Sequence, residues 1–97
     1  MANYVFLGNF TDQGIRNVKD TTKRADAAKE SAKKLGANMK EILWTMGAYD
    51  MVVTIEAPDD ATASAFALAV GAAGNIRGQT MRAYAKDEMK SLLTKIS

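Results

Sequence analysis

Laid out as an extended chain, the run Tyr49-Asp50-Met51-Val52-Val53-Thr54-Ile55-Glu56 sorts itself by alternation. Tyr49, Met51, Val53 and Ile55 fall on one face; Asp50, Val52, Thr54 and Glu56 fall on the other. A period of two is the signature of a half-buried strand, and it constrains the segments on either side. Upstream, Met39–Met46 reads as a second strand, and the close spacing across Gly47-Ala48 makes the pair a hairpin. Downstream, Pro58 ends the strand, and Asp59-Asp60 supply a cap and first-turn negative charge for an alanine-rich helix that Gly74 closes. Thr80–Ala85 is a further strand.

The first half repeats this logic. Tyr4-Val5-Phe6-Leu7 is a short apolar run ended by Gly8-Asn9, a strand covered on both faces. Thr11-Asp12-Gln13-Gly14 is turn and N-cap chemistry for a short helical segment through Ile15 and Val18. Asp20-Thr21-Thr22 offers a second cap. From there Ala25, Ala28, Ala32 and Leu35 recur at helical spacing, and Gly36 stands where a C-cap glycine belongs. Asp87-Glu88-Met89 opens a terminal helix with Met89, Leu92, Leu93 and Ile96 as an apolar stripe. The resulting order is βαββαβ plus a helix: an α+β, ferredoxin-like domain spanning residues 1–97.

Composition narrows the chemistry. The 97 residues include no histidine and no cysteine, which removes the Ser-His-Asp and Cys-His systems, the usual zinc ligands and His-ligated haem. The six methionines read as packing rather than metal ligands, and no cofactor or metal is expected. Thirteen Lys and Arg against eleven Asp and Glu leave a net charge of only +2. The basic residues between Arg16 and Lys34 are interleaved with Asp20, Asp26 and Glu30, as on a solvated helix face. With no apolar run long enough to span a bilayer, a cytoplasmic protein without a membrane partner is expected.

Two apolar faces need two covers. The first strand is apolar on both sides, and Ile42, Leu43 and Trp44 are consecutive in the second. One face is covered by the helices. The economical cover for the other is a second copy laid sheet against sheet, a homodimeric α+β barrel with Phe6 and Trp44 in its interface. The alternative is a monomer capped by its own terminal helix.

Gly47-Ala48-Tyr49-Asp50, followed by Val52-Val53-Thr54-Ile55-Glu56-Ala57-Pro58-Asp59-Asp60, resembles the signature of the GYD family of small bacterial and archaeal proteins. Thr11-Asp12-Gln13-Gly14-Ile15, Gly74-Asn75-Ile76-Arg77 and Thr80-Met81 are similar to that family's pattern as well. Ala48, between Gly47 and Tyr49, is the one departure. The resemblance implies a ferredoxin-like fold related to the dimeric α+β barrels. It implies no activity, because the family is uncharacterised.

The candidate catalytic pair is Asp50 and Arg82: an enclosed carboxylate as general base beside a guanidinium that binds an anionic group, provided the two strands bring them to one surface. The competing role for Asp50 is structural, as a cap of the Gly47 turn or the partner of a neighbouring cation. Tyr4, Trp44, Tyr49, Thr54 and Tyr84 are the candidate ligand-binding residues, each also readable as core or interface. The leading functional reading is a module that binds a small organic ligand, or slowly transforms one without a cofactor. One alternative is single-stranded nucleic-acid binding, since the same strand order builds domains that display aromatics on the first and third strands. Asp50 and Glu56 oppose it. The other alternative is a purely structural or regulatory dimerisation module.

Overall fold

In the computed structural model, which describes residues 1–96, four strands pair antiparallel in the order β2-β3-β1-β4. They are β1 (Ala2–Phe10), β2 (Asn38–Trp44), β3 (Met51–Ala57) and β4 (Ile76–Ala83). The helices are α1 (Asp12–Arg16), α2 (Thr21–Leu35), α3 (Asp60–Ala72) and α4 (Lys86–Leu93), with a 3-10 turn at Val18–Asp20. This is the ferredoxin-like α+β order with a terminal helix, and β1 and β3 take the centre.

Pairing register sorts the side chains. Tyr4 lies opposite Ile55 and Arg82, Phe6 opposite Val53 and Thr80, and Val5 opposite Thr54 and Met81. Tyr4, Phe6, Met51, Val53 and Ile55 therefore face α2 and α3, where Ala32, Ala63 and Phe66 complete the core. Val5, Leu7, Val52, Thr54, Leu43 and Met81 occupy the other face, which none of these helices covers. The expectation that Phe6 and Trp44 belong to this open face is corrected: Phe6 packs on the core, and Trp44 pairs with Met51 and turns its indole N–H to the Thr21 hydroxyl at 3.0 Å.

The caps follow the sequence where they are local. Asp59 accepts the Thr62 N–H at 2.8 Å, and hydrogen bonding from Thr62, its side chain first and then its backbone N–H, holds the Asp59 carboxyl below the ordinary carboxylate range. Gly36 and Gly74 end their helices at φ +88 and +87°. Asp20 stands at the start of α2 without a side-chain capping bond. Several strand boundaries differ from expectation. β1 runs on through Gly8 to Phe10, and β4 begins at Ile76 rather than Thr80. The reason is the facing pair Gly8 and Gly78: a Cβ on Gly8 would come within 2.5 Å of the Phe6 ring, and one on Gly78 would overlap the Leu7 carbonyl. These glycines make room for that ring inside the sheet and do not end it. The β2–β3 connection takes residues 45–50 instead of a tight turn at Gly47-Ala48, so Tyr49 and Asp50 lie in the loop.

Candidate functional site

Small residues on the helices hold open a space above the sheet. Ala25 and Ala28 of α2 and Ala67 of α3 face Phe6, Met51, Val53 and Ile76 across an apolar cavity of about 50 Å³. A groove of about 240 Å³ between α2 and α3 shares Arg24, Ala28, Val70 and Ile76 with it as a common wall. The polar groups of cavity and groove are Thr21, Arg24, Ser31, Asn75 and Thr80.

Arg24 is the charged member. Its Nη1 donates to the Asn17 carbonyl at 2.7 Å and its Nη2 to the Gly14 carbonyl at 3.3 Å, so the guanidinium plane is fixed by the α1–α2 connection. Its Nε is buried and has no partner among the described residues. A buried donor of this kind needs an explanation, because nearly all such groups are paired.

The residues expected to form a site are dispersed. Tyr4, Arg82 and Tyr84 do meet, at the Ala2 end of β1. The Arg82 guanidinium carbon lies 4.5 Å from the centroid of Tyr84 and 5.6 Å from that of Tyr4. Asn3, Asp60 and Glu88 join them. Tyr4 donates to Asp60 Oδ1 at 2.5 Å, and that hydrogen bond raises the phenol above its ordinary range. Glu88 Oε2 accepts from Arg82 Nη2 at 2.8 Å, holding Glu88 low and Arg82 high, while its Oε1 accepts from Asn3 and from the Ala85 N–H. The remaining bonds of Arg82 go to the carbonyls of Asn3 and Ala83, so the guanidinium is engaged from several sides.

Asp50 is elsewhere. Its Oδ2 accepts the Phe10 N–H at 2.9 Å, and its own N–H donates to the Gly8 carbonyl. Phe10 and Tyr4 are six residues apart on β1, about 20 Å along the strand. Asp50 and Arg82 therefore do not converge on one surface. Tyr49 shares the loop with Asp50 and accepts from Gln79 Nε2 at 2.9 Å. Thr54 is on the open face, and Trp44 is at the far edge of the helix-covered one. Tyr4 and Phe6 point at the helices, so the open face of the two central strands carries no aromatic ring of the kind single-strand binders stack on.

Arg24 and Thr21 were not among the residues singled out from the sequence. The signal was present, since Arg24 precedes Ala28 by four and falls on the apolar stripe of α2. A cation in that register was the clue. Among the described residues, no group of His, Cys, Asp and Glu could hold a metal ion, and no helix is long and apolar enough to cross a membrane.

The family model described as GYD domain matches residues 4–93 of the 97. No curated protein matches the chain.

Proposed function

The chain belongs to the GYD domain family, and from that premise we propose that it is a homodimeric small-molecule-binding module whose ligand sits between the helices and the sheet. The observation that carries this reading is the apolar cavity that shares a wall with the α2–α3 groove. Ligand sites are concave and mostly apolar with a few placed polar groups, and this cleft has that character. None of its polar side chains is a general base at neutral pH, so binding rather than turnover is the activity proposed.

Dimerisation is supported by apolar surface left without a cover. On the open face Leu43 is 55% exposed and Met81 43%. The stripe of α4 fares no better, with Met89 at 46% and Leu93 at 51% exposed. Beyond its first turn, where Glu88 grips Arg82 and Asn3, α4 makes no hydrogen bond to the body among the described residues. Its stripe does not cap the open face, so the monomer closed by its own terminal helix is the weaker reading.

Ligand-observed NMR with benzene and hexan-1-ol tests the cleft. Both should bind the wild type, and Ala28→Phe, which fills the cavity from α2, should abolish binding while the fold persists. Wild-type protein that binds neither compound overturns the reading. Sedimentation at tens of micromolar tests the assembly: the wild type should be a dimer and Leu7→Asp a monomer, because an unpaired charge buried at such an interface is strongly disfavoured.

A further inference from the structure

Resting on the small-molecule reading above, we infer that the cleft takes a short-chain carboxylate, its apolar tail in the cavity and its carboxylate held by Arg24 Nε and the Thr21 hydroxyl. Three observations lead to this class. Among the described residues the buried Arg24 Nε–H has no acceptor, Arg24 makes no ion pair, and no carboxylate lines the cavity or the groove. A cation set in an apolar wall without a counter-ion favours an anionic guest.

The second donor lies one turn away on the same helix. Thr21 and Arg24 are three residues apart, share a face of α2 and line the same cavity. The Thr21 oxygen accepts the Trp44 indole N–H at 3.0 Å, which leaves the hydroxyl proton to be donated. Trp44 thus acts as a positioning residue, orienting the hydroxyl without touching the ligand. Two donors, one on each oxygen, suit a carboxylate. A phosphate dianion would keep most of its oxygens unpaired against apolar walls.

The size of the space sets the tail. A cavity of about 50 Å³ accommodates a few carbons, with the adjoining groove taking any remainder. The lining side chains Phe6, Ala28, Val70 and Ile76 offer such a tail no hydrogen-bonding partner.

The test compares sodium hexanoate with hexan-1-ol by calorimetric titration, while NMR follows the arginine Nε–H signals. Hexanoate should bind about tenfold or more tightly than hexan-1-ol, as a charge-assisted pair allows. Only hexanoate should move the Arg24 Nε–H signal downfield. Arg24→Lys, which keeps the charge and loses the Nε donor, should remove the preference for hexanoate over hexan-1-ol. Trp44→Phe should weaken hexanoate alone, by a smaller factor. Should Arg24→Lys fail to fold, the wild-type signal shift and the acid-over-alcohol preference decide. Equal binding of acid and alcohol, or a stationary Nε–H signal, overturns the carboxylate inference and leaves the small-molecule reading standing. Binding of neither compound overturns both.

Discussion

At the Phe10 end of β1 the chain is tied down through backbone groups, whereas at the Ala2 end the ties are charged and aromatic side chains. The first end gathers three of the family's signature segments. Asp50 takes the Phe10 N–H, and the Asn75 carbonyl takes the next amide, that of Thr11, at 3.1 Å. Thr11 in turn caps α1 at the Gly14 N–H and donates to the Gly74 carbonyl at 2.6 Å. Gly14 lies so close beneath Asn75 that a Cβ there would overlap its carbonyl oxygen. The signature residues thus act as a clasp joining the start of α1, the β2–β3 loop and the α3–β4 corner. The second end joins the buried Tyr4 to the more exposed Arg82, Tyr84 and Glu88 through hydrogen bonds, an ion pair and cation–π contacts. The lesson is that a motif dense in Asp, Thr, Gln and Asn serves architecture here, because the polar atoms are consumed by neighbouring amides and carbonyls.

The strongest way to break the contrast is at Gly14. Gly14→Ala should cost about 3 kcal/mol, since backbone on both sides must move to admit a methyl group. Gly71→Ala is the control: it lies within α3 with nothing nearby to meet, and should stabilise by about 0.5–1 kcal/mol. Denaturant midpoints of the two variants should move in opposite directions, and a Gly14→Ala midpoint equal to wild type would show the clasp to be slack. Next is Asp50→Ala, expected to cost about 1–3 kcal/mol by orphaning the half-buried Phe10 amide. Asp50→Asn keeps an acceptor and should cost less. Hydrogen exchange at Phe10 N–H, faster in the alanine variant, locates the effect. Thr11→Ala follows at about 1 kcal/mol, the ordinary loss of a helix N-cap.

The smallest effect belongs to the other end and appears only in acid. Arg82, then the Ala85 N–H, lower Glu88 below its unfolded carboxylate pKa. The stability from this shift is complete above the unfolded value and is lost as pH falls through the lower, folded one. Glu88→Gln should flatten that part of the acid-unfolding curve and change little at neutral pH, consistent with a pair at the surface. An unchanged acid limb in the variant would mean that the pair contributes nothing to folding.

Much of this was legible because it is local. Period two in Met51–Ile55, alanines at helical spacing in α2, Asp59 before α3 and Gly36 after α2 each depend on atoms a few residues away. Residues with distant partners were harder to assign. Asp50 looked like half of a catalytic pair because alternation placed it on a strand, but its partner is an amide forty positions earlier. Gly8 looked like a strand end until Gly78 was set beside it beneath the Phe6 ring.

The sequence alone determined the order of elements, the caps at Thr11, Gly36 and Asp59 and the two-sided apolarity of the sheet, since hydrophobic period and capping chemistry act within a turn or a strand. The tertiary structure decided which face each apolar residue serves, where Asp50 and Arg82 lie, and that Arg24, lining a cavity, keeps an Nε without a partner among the described residues. Those facts depend on strand register and on the separation of helices from the sheet, and both are set by contacts between segments remote in sequence. A residue's neighbours along the chain carry no record of them.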